Sequence, residues 1–181
     1  MKYNFCYKYY KLKTNHVEII IELSYDNTLS NGTYGAKTNL LFRDEEDDLG
    51  HAAGVGKTEL DAIHMCLKET NEYSKSTSGF NLNKLKEPLN VTIDSLQQIN
   101  MPCCISFMLS KNKTATVYFK KEENELIVLT DKTKFSLPME GDVIETLENN
   151  IKKIKHSNAN NFTKEYLQQN DFYPVFNSLI M

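Results

Sequence analysis

The chain has very little arginine, and this shortage narrows the functions that are open to it. Arg43 is the only arginine among 21 basic residues in 181, and all the others are lysines. Guanidinium groups make the paired hydrogen bonds that read bases and clamp phosphates, so recognition of that kind is nearly excluded. The heavy use of lysine, asparagine and isoleucine indicates an AT-rich genome, as in low-GC bacteria, their phages and some large DNA viruses.

Paired cysteine motifs and long apolar runs are also missing. None of the four cysteines (Cys6, Cys66, Cys103 and Cys104) forms a CxxC pair, so neither a zinc framework nor a secreted disulfide pattern is expected. No apolar run approaches the length of a membrane span, and the first residues, MKYNFCYKYYKLK, lack the apolar stretch of a signal peptide. We therefore expect a cytoplasmic protein, of a bacterium or an infected host, with no cofactor, no metal and no membrane contact.

Charge and hydrophobicity are those of an ordinary globular protein. The net charge is −3, with 40% hydrophobic and 25% charged residues. No overall positive field draws the chain to nucleic acid or to anionic lipid.

Apolar periodicity predicts an α+β fold with antiparallel strands and two amphipathic helices. Tyr3, Phe5, Tyr7 and Tyr9 alternate with polar residues, which predicts a strand with an aromatic face. Further strands are predicted at 17–23, 38–42, 49–55, 104–109, 114–121, 125–130 and 134–137. Helices are predicted at 58–73 and 142–154, each with an N-terminal cap, and shorter ones at 94–99 and after Thr163.

The polar segment 76–90 suggests a division of the chain. Its composition is typical of a linker, between a β-rich half at 1–75 and a second β-rich half at 91–181 that includes the C-terminal tail. One compact domain overall is expected from a chain of this length. Leu41–Leu49 resembles Tyr118–Leu126, so a duplicated β-β-β-α unit is one interpretation, and a chance likeness of two hairpins is the other.

A glycine-containing turn has the sharpest local motif. Gly54-Val-Gly-Lys-Thr-Glu-Leu60 resembles the phosphate-binding loop of AAA+ ATPases, which would place Lys57 on phosphates and Thr58 on Mg²⁺. The family's first glycine is replaced by His51, and acidic residues stand where a buried strand is needed. The alternative is a turn that Thr58 caps at the start of a helix.

The same turn also resembles part of a double-stranded-RNA-binding domain, in which lysines at a helix start grip phosphates. Only Lys57 matches, because Glu59 and Asp61 occupy the other lysine positions. A nucleic-acid-binding protein is therefore one alternative, with these lysines as candidate contacts: Lys2, Lys8, Lys11, Lys13 and Lys57. The aromatic residues that alternate with the N-terminal lysines, Lys2 to Lys13, could stack on single-stranded bases. Equally, they could form a core face with edge-protecting lysines.

The most unusual composition is an acidic run. It consists of Asp44, Glu45, Glu46, Asp47 and Asp48, and it lacks the spacing of a calcium-binding loop. A second acidic face is expected from Glu140, Asp142, Glu145 and Glu148. Such carboxylates could dock into a basic channel of a nucleic-acid enzyme, whereas a solvated turn is the simpler interpretation of the run.

No catalytic constellation can be assembled from the histidines, cysteines and acids, which favours a protein that is not an enzyme. The favoured hypothesis is a small protein-binding module, an inhibitor from a phage or mobile element with an anti-defence role. Anti-CRISPR proteins are a class that it resembles in composition. The alternatives are nucleic-acid binding and nucleotide binding through the GVGKT turn. An apolar C-terminus and an aromatic edge strand make a homodimer plausible.

Overall fold

The structure is a computed structural model, and it describes most of the chain. The described residues are 2–14, 17–28, 32–43, 48–75, 87–110, 113–130, 133–156, 162–172 and 179–180.

Ten strands and four α-helices occur in these ranges. In chain order they are β1 (Tyr3–Lys13), β2 (Glu18–Asp26), β3 (Thr33–Arg43), β4 (Leu49–Gly56), α1 (Glu59–Lys75), β5 (Gln97–Ile99), β6 (Cys103–Ser110), β7 (Lys113–Glu122), β8 (Glu125–Leu129), β9 (Lys134–Pro138), α2 (Val143–Asn149), α3 (Ile151–His156), α4 (Lys164–Gln169) and β10 (Leu179–Ile180). A single 3₁₀ turn, Ile93–Ser95, precedes β5.

The predicted α+β class is confirmed. The strands pair antiparallel, except that β10 runs parallel to β3. The chain forms two compact units: the first unit is Met1–Tyr7 with Asn100–Val175, and the second is Lys8–Ile99 with Phe176–Met181. The predicted division at 76–90 is a different partition and stays a prediction, with residues 76–86 outside the described ranges.

In the first unit, β6, β7, β8 and β9 follow β1 as antiparallel neighbours. The register places Phe5 opposite Ile105 and Ile105 opposite Val117, and all three side chains are fully buried. On the same face, the Tyr3 hydroxyl donates a hydrogen bond to the Glu148 carboxylate, which ties α2 to β1. This face is therefore the core that the aromatic alternation of β1 predicts.

The opposite face of the first unit is covered by the segment around α4. The cluster there consists of Leu129, Leu167 and Phe172, with Tyr118, Ile127, Phe162 and Tyr166 packed against it. Thr163 caps α4 by accepting the Tyr166 amide at 3.1 Å, and the Tyr166 hydroxyl donates to the Thr130 carbonyl at 2.9 Å. These bonds fix the segment on the strands.

In the second unit, α1 covers one face of β3 and β4. The predicted cap is confirmed, because Thr58 Oγ1 accepts the Asp61 amide at 3.1 Å. The Cys66 thiol lies 3.5 Å from the Ala52 carbonyl, on the inner face of β4. Asn71 lies near the C-terminal end of α1. Its side chain binds the backbone amide and carbonyl of Val91, at 2.8 and 3.0 Å, and so holds the segment that leads to β5. The core is formed by Ile19, Ile21, Leu23, Leu40, Ala52, Ala62 and Cys66.

Two helix predictions are corrected. The predicted helix at 142–154 is interrupted at Asn150, whose side-chain amide donates to the Thr146 carbonyl at 2.9 Å. A side-chain donor that binds the carbonyl of residue i−4 competes with the backbone ladder and favours a break. The predicted helix at 94–99 is instead the 3₁₀ turn followed by β5, which pairs with β1.

The two similar hairpins do not occupy equivalent positions. Leu41–Leu49 joins β3 to β4, and α1 follows directly. Tyr118–Leu126 joins β7 to β8, but β9 stands between this hairpin and α2. One more strand therefore separates the second hairpin from the helix that follows it than separates the first. The chance interpretation accounts for the similar sequences without a repeat.

Asn39 marks the point where β2 and β3 separate. Beyond the Ile21–Thr38 pair, the Asn39 side chain accepts the Ile20 amide at 2.8 Å and donates to the Glu18 carbonyl at 3.4 Å. Asn39 is only 6% exposed, so water cannot fully replace the hydrogen bonds that its side chain makes.

We therefore expect Asn39→Ala to lower the free energy of unfolding by about 2 kcal/mol, because it leaves the buried Ile20 amide without an acceptor. Urea denaturation measures this. Asn90→Ala, at an exposed position of the same unit, should be near neutral. Equal stability of the two variants would contradict the bridging role of Asn39.

Candidate partner-binding surface

Four acidic residues lie along α2 and in the turn that precedes it. We call Glu140, Asp142, Glu145 and Glu148 the α2 acidic cluster, and all four residues are exposed. Asp142 is the N-cap, and its carboxylate accepts the Glu145 amide at 2.8 Å. Glu140 accepts from the Asn149 side chain at 3.1 Å, and Glu148 accepts from Tyr3. The four residues of the second predicted acidic face are therefore exposed in the first unit, and their role in docking stays a prediction.

The cluster rests on a well-connected turn. Thr146 is fully buried, and its hydroxyl accepts the Glu140 amide at 2.8 Å. The same hydroxyl lies 2.8 Å from the Asp142 carbonyl and 3.1 Å from the Glu140 carbonyl, to which it can donate. Gly141 takes a left-handed conformation, φ +74°, and the Glu145 carboxylate occupies the space a Cβ would need. The turn thus holds Glu140 and Asp142 close to the first turn of α2.

Among the described residues, no cation forms an ion pair with the cluster. In the ranges that the structure describes, lysines pair with other acids, such as Lys120 with Glu122 at 2.7 Å, and none pairs with the four cluster carboxylates. Exposed carboxylates of this kind are acceptors only, so they suit a cationic partner group.

The first acidic run is mostly outside the described residues. Asp44, Glu45, Glu46 and Asp47 fall there, and Asp48 is exposed just before β4 in the second unit. The described part of the predicted acidic surface therefore consists of Asp48 and the α2 acidic cluster.

The candidate basic residues are partly neutralised. Lys8 pairs with Glu59 of α1 at 2.8 Å, and Lys11 pairs with Glu18 at 2.8 Å. Lys2, Lys13 and Lys57 are exposed. Of the five lysines, the three exposed ones thus lie at the two ends of β1 and in the turn before α1.

Four of the five aromatic residues of β1 are core residues rather than a stacking platform, and the fifth, Tyr10, is half-buried. Tyr3, Tyr7 and Tyr9 are 4–6% exposed, and Phe5 is fully buried. A ring must present a free face to stack on a base. The geometry therefore favours the packing interpretation of the alternation.

The GVGKT sequence does not form a loop around a phosphate-sized space. Gly54 and Gly56 belong to β4 and pair with Ala36 and Tyr34 of β3. A Cβ at Gly54 would overlap backbone atoms of α1, so this glycine permits close packing between strand and helix. Only Lys57 and Thr58 lie in the turn itself, and Thr58 caps α1.

A groove beside α1 was not predicted from the sequence. Its volume is about 430 Å³, its floor contains Leu67, Val91 and Ile93, and His64 and Lys68 stand at its rim. Recognising it would have required knowing that Asn71 clamps the segment at Val91.

Within the described ranges, no group of three or more His, Cys, Asp or Glu residues is placed to hold a metal ion. No helix there is long and apolar enough to cross a membrane.

Comparison with known proteins adds no family to this geometry. No family model, no curated protein and no solved structure matches the chain.

Proposed function

We propose that the chain is a small, non-enzymatic protein-binding module that presents carboxylates to a basic surface of its partner. The supporting observation is the α2 acidic cluster, whose four residues are exposed and have no ion-paired lysine among the described residues. The turn before α2 positions Glu140 and Asp142, and the Tyr3 hydroxyl binds Glu148. Clustered charge of one sign steers association with a surface of the opposite sign.

We further propose that the partner is an enzyme that handles nucleic acid, in the cytoplasm of a bacterium or infected host. Such enzymes carry basic channels because they must neutralise phosphates. Carboxylates docked in the channel would compete with the phosphates, so the module would act as an inhibitor. A phage or other mobile element with an anti-defence need is a source consistent with the AT-rich composition.

Neutralising the cluster is expected to remove partner binding at little cost to folding. The variant carries Glu140→Gln, Asp142→Asn, Glu145→Gln and Glu148→Gln. Asparagine is a good N-cap, and glutamine still accepts from Tyr3 and Asn149, so the melting temperature should shift by no more than about 2 °C. Affinity for the partner should fall at least about tenfold, mainly because association becomes slower. The association rate of the parent chain should also fall as the salt concentration rises.

A matched control removes the same number of charges elsewhere. Glu72→Gln, Glu87→Gln, Glu125→Gln and Glu165→Gln lie at exposed positions, so both variants have the same net charge. The bait is the parent chain in nuclease-treated lysate, and a captured protein is then measured by surface plasmon resonance. Equal binding of both variants would refute docking through this cluster, and capture that needs intact nucleic acid would favour the nucleic-acid alternative.

The run Asp44–Asp48 calls for a separate variant with amides at all five positions. If the run docks as well, this variant also loses affinity while its melting temperature stays the same or rises slightly. Unchanged binding would assign the run to a solvated turn.

A further inference from the structure

Strand pairing brings two of the four thiols together. In the antiparallel ladder of β1 and β6, Cys6 lies directly opposite Cys104. The Met108 amide donates to the Lys2 carbonyl at 3.1 Å, so these two residues form a hydrogen-bonded pair of the ladder. Hydrogen-bonded and non-hydrogen-bonded pairs alternate along an antiparallel ladder, so the pair Cys6–Cys104, four residues further along β1, is also hydrogen-bonded. Cα atoms in such pairs are about 5.5 Å apart. Disulfides most often join Cα atoms about 5.5–6 Å apart, with Cβ atoms about 3.5–4.5 Å apart. Cβ atoms of directly opposite strand residues are about 4.5–5.5 Å apart, so the two Cβ atoms must approach by about 1 Å when the bond forms.

The two thiols also share one face of the ladder, the face on which the α4 segment packs against Tyr118 and Leu129, and part of that face remains exposed. Cys104 is half-buried, Cys6 is 5% exposed, and both exist as thiols. On the same face, Asn4 is exposed and Met108 is 47% exposed. A small reagent in solution can therefore reach Cys104 more readily than Cys6, which lies beside it on the neighbouring strand.

The other two cysteines lie in environments that suppress such chemistry. Burial, with a contribution from the Glu69 carboxylate, raises the pKa of the Cys66 thiol from 9.0 to about 12, so almost no thiolate forms near neutral pH. Cys103 is 6% exposed and stands opposite Phe119 on the core side. Because neighbouring strand residues point to opposite faces, Cys103 cannot bridge to Cys104.

We propose that Cys6 and Cys104 are a thiol-modification site that forms a reversible intramolecular disulfide. The co-reactant is a low-molecular-weight disulfide of the glutathione type. Cys104 loses its proton to solvent, and its thiolate attacks one sulfur, which forms a mixed disulfide and releases one small thiolate that takes up a proton. Cys6 is deprotonated in turn and attacks the Cys104 sulfur, which releases the second small thiol. Two protein thiols are oxidised, and one small disulfide is reduced to two thiols.

The cross-link has a measurable consequence for stability. It closes the chain between residues 6 and 104, which contains residues 8–99 of the second unit. Closing a loop of about 100 residues removes much of the conformational entropy of the unfolded chain. The melting temperature of the oxidised protein should therefore rise by about 5–10 °C and return on reduction.

The test treats the full chain with oxidised glutathione at about pH 8, where an accessible thiol is partly ionised. Intact mass and non-reducing peptide mapping should identify a single cross-link between Cys6 and Cys104, which dithiothreitol reverses. Cys66→Ala and Cys103→Ala should form the same cross-link. Cys6→Ser should stop at the mixed disulfide on Cys104, because the second attacking thiol is missing.

Peptide mapping of the parent chain decides the matter even if Cys6→Ser fails to fold. Glutathione retained on Cys104, a cross-link to Cys66 or Cys103, a disulfide between two chains, or no oxidation under these conditions would each overturn the proposal. The site is independent of the α2 acidic cluster, so its failure would leave the proposed docking function untouched.

Discussion

Gly54→Ala is expected to lower the melting temperature by about 6–12 °C, because β4 and α1 leave no room for a methyl group there. An added Cβ would overlap the Ala62 carbonyl oxygen and the Cys66 amide nitrogen, both in the backbone of α1. Helix backbone cannot rotate away as a flexible side chain can, so α1 must move off the strand. Overpacking of this kind costs about 3 kcal/mol. In a chain of this size, each kcal/mol lowers the melting temperature by about 2–4 °C.

Gly50→Ala is the matched control, since it makes the same change in the same strand where nothing lies within 4 Å of the new Cβ. It should change stability by no more than about 0.5 kcal/mol. Calorimetry on both variants measures the difference. Equal melting temperatures of the two variants would mean that α1 does not pack on β4 at Gly54.

The same glycines distinguish packing from phosphate binding. In a phosphate-binding loop, glycine lets the ligand approach the backbone, and substitution weakens the ligand without unfolding the protein. In this chain, the backbone of α1 occupies the space next to Gly54. Gly54→Ala should therefore impair folding, whereas the exposed Lys57 can be replaced by alanine with little loss of stability.

The strands were predictable because alternation of side chains is local. Tyr3, Phe5 and Tyr7 already show in sequence the face that is buried in the structure. The same holds for the capped helix starts at Thr58 and Asp142, where a cap and its amide partner are three residues apart. Such features need only neighbouring residues to form, so the pattern and the structure agree.

Features that depend on distant residues were not predictable. The break at Asn150 depends on whether its side chain turns back to Thr146, and hydrophobic periodicity continues through it. The strand β5 is too short for a pattern and exists because β1 offers Tyr9–Lys11 as a partner. In both cases tertiary context overrides a local preference.

The cysteine pair shows the same limit for function. Sequence spacing directs attention to the adjacent Cys103 and Cys104, which point to opposite faces of β6. The pairing of Cys6 with Cys104 follows only from the register of β1 against β6. By contrast, the acidic residues of α2 and its preceding turn were found from composition alone, because they are close together in the sequence.

Phe172→Ala is expected to lower the free energy of unfolding by about 4 kcal/mol, the cost of removing a fully buried aromatic ring. Phe172 is completely buried against Leu129 and Leu167, and its amide donates to the Leu167 carbonyl at 2.8 Å. Lys120 lies 5.3 Å from the ring centre, which adds a cation–π attraction of about 0.5–1 kcal/mol. Urea denaturation measures the total.

Because the segment 162–172 is held by this cluster, the loss should be partly local. Hydrogen exchange of the α4 amides should become faster in Phe172→Ala, while β6 and β7 keep their protection under native conditions. Gln168→Ala, on the exposed side of α4, should change neither quantity appreciably, since its side chain has no part in the cluster. If Phe172→Ala cost less than about 1 kcal/mol and left α4 protected, the ring would not be the anchor. The Tyr166 hydroxyl on the Thr130 carbonyl would then have to hold the segment on the strands.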